Sequence, residues 1–277
     1  MSRTKTIPKN IYIYALAILW FLITFYPVFW LVMSSFKTNY DLFSSPWSLP
    51  LKPVVQNYIK AWKVANVSVY FVNSVYLTVG PLILGLVLSL FAVYPISRLN
   101  LKISTGLYLL FVFGIVIPVN SLLIPLFVMF ARLKLTDSQF GLFLFYTARN
   151  IPFNIFIIYG FMKTVPRELD ESALIDGANV SQILFRVIIP IVKPAIATTS
   201  ILNFLTKWNE FMFALTFLSS QEKRTLPCGL TYFFDMFSKD YAPMLAAIVM
   251  SIAPIIIFYV IMEKNVVAGL TAGAVKG

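Results

Sequence analysis

An all-α membrane protein of six transmembrane helices, with one helix-turn-helix loop on the cytoplasmic side, is the fold this sequence predicts. Three observations predict it. Of 277 residues, 59% are hydrophobic and only 12% charged, with a mean hydropathy of +0.83. An ordinary soluble domain is about 25% charged and about half apolar. Long apolar runs recur along the chain at the length a helix needs to cross a bilayer, about 20 residues each. Between two of those runs lies a polar stretch, PRELDESALIDGANVSQILFRVIIPIVKP, in which Glu168, Asp170, Glu171 and Asp176 crowd together.

The domain organisation reads in order. Residues 1–10 form a basic N-terminal tail with Arg3, Lys5 and Lys9 and no acid. Residues 11–262 form the membrane domain, with spans at about 11–33, 71–96, 107–131, 140–162, 195–217 and 243–262. Residues 263–277 form a C-terminal tail. The first span carries no charge and has Pro27 as a kink site; no small-residue cleavage site follows it, so it reads as an anchor rather than a removable leader. The segment 34–70 is too polar and proline-rich for hydrocarbon and is expected as an ordered external loop. Within it, Asn57 to Trp62 has the pattern of a short interfacial helix. Pro118, Asn120, Ser121 and Pro125 interrupt the third span; Arg149, Asn150 and Pro152 lie inside the fourth. The fifth contains Asn203, Lys207, Trp208, Asn209 and Glu210, and the sixth has Pro254 at its middle.

Lysine and arginine nearly balance across the membrane. The acid-free N-terminal tail and the acid-free 97–103 loop decide the orientation, and both termini and the 163–194 loop are placed in the cytoplasm. The net charge of +11 arises from basic residues scattered at span ends, which fits lipid headgroups and not nucleic acid. Histidine is absent and Cys228 is the lone cysteine, so no intrachain disulfide can form and most metal and nucleophile sites lack their ligands. Neither a catalytic nor a metal site is expected.

The polar loop has its own logic. Thr164 is a candidate cap and Pro166 suits a first turn. Glu168, Asp170 and Glu171 sit where the helix dipole favours anions. Gly177 supplies the turn, Ser181 is a candidate cap for a second helix reaching Ile189, and Pro190 and Pro194 end it. The bland reading of this loop is a solvated acidic connection.

Here the residues carry a resemblance. Glu171-Ser172-Ala173, then Asp176-Gly177-Ala178, Phe185 and Pro190 resemble the EAA loop of ABC-importer permeases, with Ser172 replacing an alanine. Asn57-Tyr58 with Trp62, Phe71-Val72-Asn73-Ser74, Ile117-Pro118 with Ile124-Pro125, Trp208-Asn209-Glu210-Phe211 and the ending GLTAGAVKG extend it over nearly the whole chain. They resemble the smaller, six-span permease of carbohydrate importers of the maltose-transporter type, and most of all the multiple-sugar and raffinose-type permeases of Gram-positive bacteria.

The resemblance implies a type I ABC importer permease, a transporter subunit and not an enzyme. It implies a second, non-identical permease subunit, two copies of an ABC ATPase, an extracytoplasmic sugar-binding lipoprotein and an oligosaccharide cargo. ATP would bind the ATPase subunits, with no cofactor on this chain. Glu168, Glu171, Ser172, Ala173, Asp176, Gly177, Ala178 and Phe185 would meet the ATPase. Gly273, Ala274, Val275, Lys276 and Gly277 would reach between its subunits. The ending is no phosphate loop: the Walker spacing, its Ser or Thr and the preceding strand are all missing.

Candidate path residues are Asn120, Ser121, Arg149, Asn203, Lys207, Trp208, Asn209 and Glu210. Residues 203, 207 and 210 would share one helical face. Arg149 reads either as a gate residue or as a snorkelling or subunit-paired charge. Asn120 and Ser121 read either as path groups or as satisfiers of a broken helix. Two other transporter classes stay open. A secondary transporter would want internal repeats and intramembrane carboxylates, of which Glu210 is the lone candidate. An ABC permease for glycerol phosphate would use Arg149 and Lys207.

Overall fold

A computed structural model describes residues 11–64, 66–99, 101–236 and 240–274. The described elements are helical throughout. Four helices are long and apolar enough to cross a membrane, or six if each of two sharply bent helix pairs counts as one span. The chain divides into two compact units, Met1–Val67 with Leu230–Met250, and Ser68–Gly229 with Ser251–Gly277.

The first unit opens with α1, Ile11–Ser35, whose residues from Ile11 to Phe29 are all exposed. That surface suits lipid, where apolar side chains need no protein cover. At its C-terminus the chain turns through α2, Asn39–Ser44, to α3, Gln56–Lys63. α3 contains the segment expected as an interfacial helix. Buried polar side chains shape this loop. Asn57 Nδ2 donates to the carbonyls of Ser35 and Lys37, which satisfies backbone acceptors left free at the end of α1. The Lys37 ammonium, wholly enclosed, donates to the carbonyls of Ser45 and Pro46 at 2.9 and 3.0 Å. Such acceptors offset much of the cost of taking an ammonium out of water.

The second unit begins with α4, Val67–Arg98, which carries Pro81 and Pro95. α5, Ser104–Val116, ends before Pro118. A 3₁₀ turn over Val119–Leu122 leads into α6, Leu123–Arg132, and the pair bends by 87°. The third apolar segment is therefore two half-helices, because Pro118 has no N–H and pushes Ile117 into extended backbone. α7, Gln139–Met162, is the most buried span and packs on α5, where Gly114 admits the ring of Pro152.

Next comes the polar loop: α8, Glu168–Ile175, then α9, Val180–Gln182, a π-helical turn over Ile183–Ile188, and α10, Ile189–Ile191. α11, Lys193–Trp208, follows at a 74° bend. The fifth apolar segment, expected over 195–217, is helical only to Trp208 and resumes as α12, Met212–Phe217. α13, Leu226–Met236, and α14, Tyr241–Ala274, complete the chain. The core of this second unit gathers Leu77, Phe130, Leu142, Tyr146, Phe213, Phe217 and Cys228.

Candidate functional site

The hairpin 163–191 is built from local rules. α8 starts after Pro166, but Thr164 does not cap it: its hydroxyl donates back to the Phe161 carbonyl at 2.8 Å. Three carboxylates, Glu168, Asp170 and Glu171, lie in the first turn, where the dipole favours anions, and no side chain caps it. The other end is a Schellman turn. Gly177 N–H meets the Leu174 carbonyl and Ala178 N–H the Ala173 carbonyl, both at 3.0 Å, with Gly177 at φ +81°. A side chain at Gly177 would meet no neighbour within the chain, so backbone conformation alone demands the glycine.

Ser181 is not the second cap. Asn179 is, through a capping box in which its side chain accepts from Gln182 N–H and Gln182 accepts from Asn179 N–H. The helix then widens. Ile189 N–H reaches the Leu184 carbonyl, five residues back, because Pro190 lacks the N–H that would return to Arg186 and its ring crowds that carbonyl.

Glu168, Glu171, Ser172, Asp176 and Gly177 lie exposed along α8 and the turn, with Ala173 and Ala178 half-buried. Leu174 and Ile175 are exposed beside them, Ile175 at 87%. This tip carries acid and apolar surface together. Phe185 is half-exposed, and its ring meets Phe91 of α4 edge-on at 6.0 Å. Asp170, not singled out as a contact residue from sequence, turns inward. Its Oδ2 lies 3.3 Å from Arg98 Nε, with the two side chains 14% and 4% exposed. Burial raises the Asp170 pKa above the ordinary carboxylate value, and the attraction of Arg98 and Arg167 offsets only part of that.

Within the spans, the sequence-chosen polar residues separate into different roles. A cavity of about 740 Å³ is lined by Arg149 and Asn203, with Asn150 and Thr206 and a mostly apolar wall including Phe145 and Phe153. Asn150 Nδ2 is buried there without a hydrogen-bond partner. Asn203 Nδ2 donates to Asn154 Oδ1 at 2.6 Å, tying α11 to α7.

The other candidates do not line this cavity. Asn120 and Ser121 are exposed in the 3₁₀ turn, where the Ser121 hydroxyl satisfies the Pro118 carbonyl at 2.6 Å. Lys207 is buried and its ammonium has no hydrogen-bond partner. Trp208 is enclosed, donates to the Ser251 carbonyl at 2.9 Å and stacks on Phe204. Asn209 Nδ2 donates to the Leu205 carbonyl and helps end α11.

Glu210 departs from the expectation of one helical face with 203 and 207, because the helix stops before it. Its carboxylate accepts from the N–H groups of Phe213 and Ala214, at 2.7 and 3.0 Å, and from the Tyr146 hydroxyl. It therefore satisfies backbone donors that open inside the fifth apolar segment. The Trp-Asn-Glu-Phe run is thus a helix-break device; only the spacing of Glu210 before Phe213 and Ala214 hinted at it. Of the tail residues, Gly273 and Ala274 close α14, while Val275, Lys276 and Gly277 lie outside the described residues, as does the 1–10 tail.

This geometry has counterparts in known proteins. The chain is 33% identical over 265 residues to the diacetylchitobiose uptake system permease protein NgcG of Streptomyces coelicolor, covering 95% of this chain and 88% of that one. It is 30% identical over 254 residues to the melibiose/raffinose/stachyose import permease protein MelC of Bacillus subtilis, covering 91% and 92%. A solved bacterial ABC transporter involved in import of the acidic polysaccharide alginate superposes with a TM-score of 0.81 at 25% identity, over 95% of this chain and 98% of that chain. Residues 82–266, which hold the hairpin, the cavity and the Glu210 break, match the family described as binding-protein-dependent transport system inner membrane component, and the chain belongs to that family.

Proposed function

We propose that this chain is the smaller of two unlike permease subunits in an ATP-driven importer of oligosaccharides. Its termini and the hairpin face the cytoplasm. The α8 tip docks on an ATPase subunit through Glu168, Glu171, Ser172, Ala173, Asp176, Gly177, Ala178 and the apolar Leu174 and Ile175. ATP binds the two ATPase copies, and a sugar-binding lipoprotein delivers the cargo from outside. Family membership carries this reading, and the exposed acid-and-apolar tip on a Schellman turn supports the docking. The cargo class follows relatives named for diacetylchitobiose and for melibiose, raffinose and stachyose. Arg149, Asn150 and Asn203 are the groups through which the cavity would meet the hydroxyls of a passing sugar. An ion-coupled carrier has less support, since Glu210, its candidate carboxylate, is occupied by three donors.

The test is uptake of labelled oligosaccharides, raffinose and diacetylchitobiose among them, in cells with and without this chain. Accumulation only in its presence, together with loss on inactivation of the ATPase, supports the reading. Uptake indifferent to the ATPase removes it.

A further inference from the structure

α4 holds both arms of the hairpin. Arg98 is its last residue, and one guanidinium makes two attachments: Nε lies 3.3 Å from Asp170 Oδ2, and Nη1 donates to the Val165 carbonyl at 3.0 Å. The first fixes the opening turn of α8 and the second fixes the strand of chain leading into it. Two helical turns earlier on α4, Phe91 receives the ring of Phe185 from the second arm. Residues seven apart share nearly one helical face, so a single edge of α4 touches both arms.

The choice of an ion pair here is informative. Arg98 Nε and Nη2 and Asp170 Oδ1 are buried with no hydrogen-bond partner, so the 3.3 Å contact is an ion pair without a hydrogen bond. A buried pair left incompletely satisfied is a poor source of stability, and an apolar contact of equal volume would hold the arm at least as well. What the pair supplies is one geometry, since a rigid guanidinium hydrogen-bonded to the Val165 carbonyl and set against the Asp170 carboxylate at once resists sliding.

We propose that Arg98 is a positioning residue that makes the hairpin and the adjoining end of α4 one mechanical body. Displacement of the tip then moves α4, instead of being absorbed by bending at 163–167. This rests on the reading of the hairpin as the ATPase-docking element.

The test uses the whole importer, with its partner permease and ATPase, in liposomes. Spin labels at Val180, exposed just past the turn and outside the docking set, and Ile83, exposed on α4, report their separation with and without trapped nucleotide. A second pair, from Val180 to the ATPase, reports whether the hairpin follows the ATPase at all. In the unsubstituted complex both sites move while the 180–83 distance stays fixed. Asp170→Asn, which keeps side-chain volume, is expected to let that distance change and broaden on nucleotide trapping, with a several-fold rise in ATP hydrolysed per sugar moved. Arg98→Gln should do the same and Arg98→Lys should restore part of the constraint. If the 180–83 distance stays fixed in Asp170→Asn, the proposal is overturned. If the hairpin never follows the ATPase in the unsubstituted complex, the docking reading fails instead, and the two failures are read by different label pairs.

Discussion

Two carboxylates at opposite ends of α7 meet a basic residue in opposite circumstances. Beyond one end, Asp137 sits in a saturated network: Oδ1 accepts from the N–H groups of Ser219 and Ser220, and Oδ2 from the Ser220 hydroxyl and the Lys223 ammonium. Lys223 also grips the Asp137 carbonyl at 2.8 Å, and Asp137 N–H reaches the Phe217 carbonyl. Beyond the other end, Asp170 has one ion-pair contact and an oxygen with no partner. Burial opposes ionisation at both. At Asp137 the hydrogen bonds from Lys223 and Ser220 win and hold its pKa well below the carboxylate range; at Asp170 burial wins and raises it. The lesson is that counting ion pairs says little. The loop around Asp137 is closed on itself and finished, whereas the hairpin leaves its acid and apolar surface unsatisfied by its own chain.

The largest expected effect comes from breaking the unfinished end. Gly177→Asp should abolish transport while leaving membrane insertion intact. It places an L-residue at φ +81° and a charge at the tip that approaches a partner, with nothing in the chain for the side chain to strike. Gly177→Asn, which tolerates the left-handed conformation, should retain more activity than Gly177→Val at equal membrane yield. Normal uptake by the Asp variant would remove the docking role.

Next in size is the finished end. Asp137→Ala leaves the Lys223 ammonium only the backbone carbonyl of residue 137 and strands the N–H groups of Ser219 and Ser220, and should destabilise the detergent-solubilised protein by about 2–3 kcal/mol, the scale of hydrogen bonds to charged groups. Asp170→Asn should be no less stable than the natural chain, since its charge is held against burial. Similar melting temperatures for these two variants would erase the comparison drawn above.

pH separates the two more finely. The depressed pKa of Asp137 means its contribution is present above the unfolded value of about 3.9 and is lost only as pH falls through the lower folded value. The raised pKa of Asp170 means the folded state pays a penalty at neutral pH that is relieved as pH falls through that raised value. Between pH 7 and about 4.5, the stability gap between natural chain and Asp137→Ala should hold constant, while any gap to Asp170→Asn should shrink. Unfolding curves across that range read both. The smallest effect is Asn179→Ala, which removes the capping box and should cost about 1 kcal/mol, visible as faster hydrogen exchange confined to the second arm.

The sequence exposed what is decided locally. Apolar runs, the proline break after Ile117 and the glycine turn at 177 each depend on neighbours within a few residues. Thr164 and Ser181 misled because several side chains near a helix start can cap, and backbone geometry chooses among them; Asn179 won through its pairing with Gln182. What stayed hidden joins distant positions. Arg98 and Asp170 are far apart along the chain, as are Tyr146 and Glu210, and nothing in either neighbourhood announces the other. The 203, 207, 210 spacing puts Glu210 on a helical face; its true position follows from the end of α11 at Trp208, which periodicity does not mark. Of the candidates chosen from sequence, Arg149 and Asn203 line the cavity, with Asn150 and Thr206 beside them.

The bare surface of α1 has a consequence for biogenesis. From Tyr26, whose ring meets Trp47, the helix is held by its own chain, but the stretch from Ile11 to Phe25 is exposed throughout and has no preferred face before assembly. An arginine walked along it would be penalised by depth in the bilayer alone, rising to about 2.5–3.5 kcal/mol at the centre, with no 3.6-residue ripple. Such a segment can settle in lipid as soon as it leaves the ribosome and wait there, a tether that holds the growing chain at the membrane while the distant pairings of the second unit find each other.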